Sequence, residues 1–185
     1  MAWRKWGLGL LTLSYPVVIY LGLQHFSPRV MALALVALAL LRAGTSRQAG
    51  WRAMALLAAG LAIVVMASGH ALPLKLYPVL VNLAMLGVFG WTLRHPPTLV
   101  ERLARMREPD LPPSGVAYTR RVTQAWCVFF VCNGSIAAVT AFVASDRVWA
   151  IYNGAIAYGL IGAMFAGEWL VRQRVMARRA ENGHG

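Results

Sequence analysis

The sequence predicts an all-α polytopic membrane protein. It would have six transmembrane helices, both termini in the cytoplasm, and one amphipathic interfacial helix in the loop between spans four and five. Three observations predict this. The composition is 59% apolar over 185 residues. Long runs without charge recur along the chain. Fifteen of the eighteen basic residues fall in every second gap between those runs. The richly basic gaps hold Arg4 and Lys5; Arg42, Arg47 and Arg52; Arg94, Arg102, Arg105, Arg107, Arg120 and Arg121; and Arg172, Arg174, Arg178 and Arg179. The poor gaps hold Arg29, Lys75 and Arg147 alone. Alternation of this kind orients a multi-pass chain with its basic loops inside. It also accounts for the net charge of +12, so no nucleic-acid partner is expected. A basic patch for phosphates would cluster on one soluble face instead of being spaced by hydrophobic runs.

A bilayer core of about 30 Å needs about 20 apolar residues as a helix. Spans are therefore expected near residues 6–24, 27–44, 53–72, 76–93, 122–144 and 148–171. The first follows Arg4 and Lys5 as a signal peptide would. Its length, the Tyr15-Pro16 interruption and the lack of a small-residue cleavage site mark it instead as a retained helix. The second is only twelve apolar residues between Arg29 and Arg42. Those two arginines can snorkel to the interfaces and lengthen it. Without that crossing, the loop from Arg94 to Arg121 would lie outside. Trp3, Trp6, Trp51, Trp91 and Trp169 fall near inner boundaries, and Trp149 opens the last span from outside. Residues 1–174 would form one transmembrane domain, and 175–185 a basic flexible tail.

The cytoplasmic loop, 94–121, holds most of the mass outside the membrane. Thr98 and Glu101 have capping-box spacing just after Pro96-Pro97. The helix they start would carry Leu99, Val100, Leu103 and Met106 on one face, and Arg102, Arg105 and Arg107 on the other. Such a helix suits the headgroup region of the inner leaflet. Glu108-Pro109-Asp110-Leu111-Pro112-Pro113 would then force an extended return.

No catalytic signature, cofactor motif or metal-ligand spacing occurs, so neither a catalytic residue nor a metal is expected. Cys127 and Cys132 read as small packing residues. His25 and His70 both fall on the outer side but lack a third ligand. Polar groups within spans are the better clue, because hydrocarbon demands a partner or a cavity for each. Tyr15, Asn82 and Asn133 lie near mid-span, and Asn153 near the outer end of the last one. They serve either as interhelical glue or as the lining of a midplane cavity. Glu168, the only acid in an apolar span, is placed to pair with Arg172 four residues on. Ala155, Gly159, Ala163 and Gly167 form a small-residue stripe for close packing, with span five, bearing Gly134, Ala138 and Ala141, as the expected partner. Tyr15-Pro16-Val17-Val18 and Tyr77-Pro78-Val79-Leu80 give a short internal echo, as inverted halves of three spans would.

The run from Pro97 to Leu103, then Leu111-Pro112, Gln124 to Phe130, Asn133-Gly134, and Trp149 with Tyr152-Asn153 resembles the septation protein A family of bacterial inner-membrane proteins. The resemblance covers roughly residues 75–172. Glu108 to Pro113 and Tyr118 to Gln124 resemble more closely a group of short membrane proteins encoded beside aryl-polyene pigment genes. The chain departs from the septation family in its longer connecting loop and in Arg42, Arg47 and Arg52. These resemblances imply an inner-membrane protein of the cell envelope. The expected role is non-enzymatic assistance in assembling or transferring a lipid or polyene-lipid. Glu101, Arg102, Arg105, Arg120 and Arg121 would contact lipid or a partner, since arginine binds phosphate through paired hydrogen bonds. Expected partners are anionic inner-leaflet lipids and envelope-synthesis or division proteins. The alternatives are a scaffold for those enzymes, or an acyl- or glycosyl-transferring enzyme using Glu101, Glu108 or Asp110 as base.

Overall fold

The computed structural model describes residues 15–45 and 49–182, and no strand occurs among them. The helices are α1 (Tyr15–His25), α2 (Pro28–Thr45), α3 (Ala49–Ser68), α4 (Leu72–Lys75), α5 (Tyr77–Arg94), α6 (Leu99–Arg105), α7 (Pro113–Val143), α8 (Asp146–Ile151) and α9 (Ala157–Asn182). A single π-turn, Tyr152–Ile156, joins α8 to α9. Two compact units are distinguished, residues 1–81 with 135–154, and 82–134 with 155–185.

In the first unit α1 and α2 form a helical hairpin. The Ser27 side chain accepts from Val30 N–H at 3.4 Å, and Pro28 takes the first helical position, where a missing N–H costs nothing. Gly22 lies directly under the Met31 side chain, so the two helices approach without a Cβ between them. Helix α3 packs on α2. It stops at Gly69, whose φ of +69° is the left-handed turn that favours glycine, and Gly69 N–H reaches Val65 O at 2.7 Å. Ile19, Ala32, Val65, Leu74, Ala141 and Trp149 fill the core of this unit. Trp149, expected at the interface, is only 1% exposed, and its indole N–H donates to Lys75 O at 3.1 Å. Its membrane-belt role is thereby replaced by a packing one. The Lys75 ammonium in turn meets Asp146 at 3.0 Å, so α4 and the start of α8 are held together.

In the second unit Phe89, Trp126 and Phe130 form the core, with Leu99, Val100, Ile161 and Met164 against it. Phe89 and Phe130 meet edge-to-face with centroids 5.2 Å apart, a geometry worth about 0.5–1.5 kcal/mol beyond burial. The expected extended return after the prolines is not found. Pro113 begins α7, and Pro112 O accepts from Gly115 N–H and Val116 N–H at 2.8 and 3.1 Å. A proline at the first helical position starts a helix as readily as an internal one breaks it. Helix α9 likewise continues to Asn182, through most of the segment read as a flexible tail.

Two helical stretches, Pro113–Val143 and Asp146–Gln173, are long and apolar enough to cross a membrane. Polar side chains share the interior with the apolar cores, and many large apolar side chains lie outside. Asn82, Asn133, Asn153, Thr123 and Thr140 are buried, whereas Leu56, Ile63, Val128, Phe142, Val143 and Phe165 are exposed.

Candidate functional site

The basic loop is tied down by threonines. Thr92 at the end of α5 donates to Phe89 O at 2.9 Å and accepts from Leu99 N–H at 3.1 Å. Thr98, 2% exposed, caps α6 by accepting from Glu101 N–H at 3.3 Å, the half of the capping box legible in the sequence. Glu101 is buried instead of facing a partner, and its Oε1 accepts from Arg105 Nε and Nη2, each at 2.9 Å. The carboxylate sits in the first turn and the arginine in the last, so both favour the helix dipole.

Three of the four arginines expected to bind phosphate already hold protein oxygens. Arg102 Nε donates to Pro97 O at 3.0 Å, and Arg105 Nη1 to Pro109 O at 3.0 Å. Arg120 Nη1 donates to Leu93 O at 3.1 Å, where a cation suits the carbonyl end of α5. The Arg121 side chain is exposed and makes no hydrogen bond among the described residues, and the same holds for the side chains of Arg94 and Arg107. The apolar face of α6 is divided. Leu99 and Val100 pack on the aromatic core, while Leu103 and Met106 are 58% and 80% exposed.

Glu168 does not form the expected ion pair with Arg172. Its backbone O and Oε1 accept from the Tyr118 hydroxyl at 3.2 and 3.4 Å. Among the described residues the ion pairs are Lys75–Asp146 and Glu101–Arg105. Nothing in the spacing of Tyr118 marks a partner fifty residues away.

Two of the asparagines expected near mid-span do meet. Asn133 Nδ2 donates to Asn82 Oδ1 at 3.1 Å between α7 and α5. Gly134 makes the approach feasible, since a Cβ there would fall 3.0 Å from Asn82 Cβ. Asn153, in the first unit, donates through Nδ2 to Trp149 O at 2.9 Å and to Thr140 Oγ1 at 3.3 Å. The Tyr15 side chain lies outside the described residues. The glycines of the small-residue stripe show no close contact. Nothing lies within 4 Å of a Cβ built at Gly159 or Gly167, and Gly134 serves Asn82 instead.

His25 and His70 are exposed, and the His25 ring bonds Leu21 O at 3.1 Å. No group of three His, Cys, Asp or Glu side chains able to hold a metal occurs among the described residues. Compared with protein-family models, curated proteins and solved structures, the chain matches none.

Proposed function

We propose that the chain is a six-span protein of a bacterial inner membrane, with both termini cytoplasmic. It assists assembly or transfer of a lipid or polyene-lipid without catalysing a reaction. The observation that carries the membrane reading is the number of large apolar side chains left outside, Leu56, Ile63, Val128, Phe142, Val143 and Phe165 among them, while Asn82, Asn133 and Asn153 are buried. A soluble monomer rarely exposes contiguous apolar surface beyond a few hundred Å². Acyl chains would cover such a surface without cost. Helices α2, α3 and α5 have 18, 20 and 18 residues. At 1.5 Å per residue they measure about 27–30 Å, close to the hydrocarbon thickness.

Lipid contact is assigned to Arg121, Arg94 and Arg107, whose guanidinium groups have no competing partner among the described residues. Each basic residue near an anionic leaflet contributes about 1 kcal/mol. The exposed Leu103 and Met106 would insert beside them. Arg102, Arg105 and Arg120 shape the loop and present their remaining N–H groups. The resemblances to septation and pigment-linked membrane proteins favour an envelope lipid as cargo.

The test is lipid analysis by mass spectrometry of the full chain extracted directly into polymer nanodiscs. Enrichment of one anionic or polyene-bearing lipid over the bulk membrane is expected, with loss of that enrichment in Arg107→Ala/Arg121→Ala. A stable protein complex without enrichment would make the chain a scaffold. Turnover of acyl or sugar donors would make it an enzyme.

A further inference from the structure

Where α8 passes into α9 the helix opens into a π-turn, Tyr152–Ile156. Single π-turns inside α-helices are rare and recur at functional positions. Asn153 stands in this one, 4% exposed. Its amide orientation is fixed by its neighbours. The atom 2.9 Å from Trp149 O must be the NH2 group, because two carbonyl oxygens cannot bond each other. Oδ1 therefore points elsewhere. It is fully buried and has no hydrogen-bond partner among the described residues.

Thr140 cannot supply the missing proton. Its hydroxyl already donates to Ala137 O at 3.0 Å while accepting from Asn153 Nδ2. The free valence at this point is thus a lone acceptor, which excludes phosphate, carboxylate or any other anion as ligand. The surroundings also limit size. A Cβ at neighbouring Gly154 would stand 3.3 Å from Val17 Cγ2 and 3.5 Å from Pro16 Cβ. Ala137, Ala141 and Trp149 are 0%, 4% and 1% exposed. A cation calls for several oxygen ligands, and the carbonyls nearest the amide, Trp149 O and Ala137 O, already accept from Asn153 Nδ2 and the Thr140 hydroxyl. A neutral hydroxyl needs only the amide.

We propose that Asn153 Oδ1, in the π-turn beside Thr140, is the acceptor of a hydroxyl-binding site that takes one O–H donor. The donor is either a water molecule or the hydroxyl of a bound lipid, and both satisfy the same oxygen. A lipid hydroxyl would extend the lipid function proposed above, while a water leaves that function untouched. The site stands on the amide geometry in either case.

Solid-state NMR on the isotope-labelled full chain tests this directly. The protein is reconstituted in vesicles of phosphatidylethanolamine and phosphatidylglycerol. Polarisation transfer to Asn153 Cγ is followed from protonated water with deuterated lipid, then from protonated lipid in heavy water. The signal is identified by its loss in Asn153→Leu, or by sequential correlations in the unmodified chain should that variant not fold. Faster build-up than at Asn133 Cγ, a buried amide with the same exchangeable NH2 group and 6% exposed, is expected in one arm, and that arm names the source. Build-up as slow as at Asn133 Cγ in both arms overturns the proposal.

Discussion

Replacing Gly134 by alanine tests the contact that joins α5 and α7. An alanine Cβ would stand 3.0 Å from Asn82 Cβ and 3.7 Å from its Cγ. Carbon atoms pack best at about 3.5–4.0 Å, so the helices must separate by about half an ångström or more. Asn82 cannot yield by rotating, because its Cβ is fixed to the backbone. The Asn133–Asn82 hydrogen bond, 3.1 Å long, would be stretched past the length at which such bonds remain strong. Interhelical bonds of this kind average about 0.6 kcal/mol in membranes, and overpacking costs about 1–3 kcal/mol. Together they outweigh the gain of about 0.5–1 kcal/mol from replacing a helical glycine by alanine. A net loss of about 1–2 kcal/mol is therefore expected, on the balance of those terms. Gly159→Ala is the matched control: nothing lies within 4 Å of its Cβ, so only the helix gain remains. Reversible unfolding in mixed micelles, followed by circular dichroism, measures both. A Gly134→Ala protein as stable as Gly159→Ala would refute the close approach.

The Lys75–Asp146 pair should respond asymmetrically: Lys75 is 10% exposed in its side chain and Asp146 55%. Asp146→Asn strands a buried ammonium and should cost about 1–2 kcal/mol in melting experiments, less than for a fully buried pair because of screening; Lys75→Met, which leaves a wetted carboxylate, should cost less. Thr98→Ala removes the α6 cap and should cost about 1 kcal/mol, read as faster amide exchange over Leu99–Arg105. For topology, Cys127 and Cys132 are first replaced, and single cysteines then labelled in intact cells. Asp110→Cys should be protected, and Ser27→Cys and His70→Cys accessible; external labelling at 110 would overturn the six-span arrangement.

Helix positions were legible because uncharged runs and basic gaps are local properties of the chain. The Thr98 cap was legible for the same reason, since its partner lies three residues on. Loop prolines were read less well. Pro112 and Pro113 can end one helix or begin the next, and the sequence carries both outcomes until the carbonyl of Pro112 finds Gly115 and Val116. Long-range partners were not legible. Asn82 and Asn133 were singled out as polar residues in apolar runs, but their pairing depends on Gly134, a residue assigned to a different packing stripe. Glu168 was matched to Arg172 by spacing, yet the Tyr118 hydroxyl reaches it from another helix. The ion pair Lys75–Asp146 spans 71 positions and left no local trace.

The loop arginines carry a more general consequence. Topology requires only that positive charges lie on one side, so any of the six from Arg94 to Arg121 would serve it equally. The geometry distinguishes them. Arg102, Arg105 and Arg120 each donate to a carbonyl at a helix end or turn, and Arg105 holds Glu101 with two further N–H groups of the same planar guanidinium, a geometry an ammonium lacks. Arg94, Arg107 and Arg121 have no such task among the described residues. Lysine substitution therefore separates the three roles of these charges. In the first group it would preserve orientation and loosen the loop. In the second it would preserve both, and would weaken only the proposed two-point recognition of a lipid phosphate.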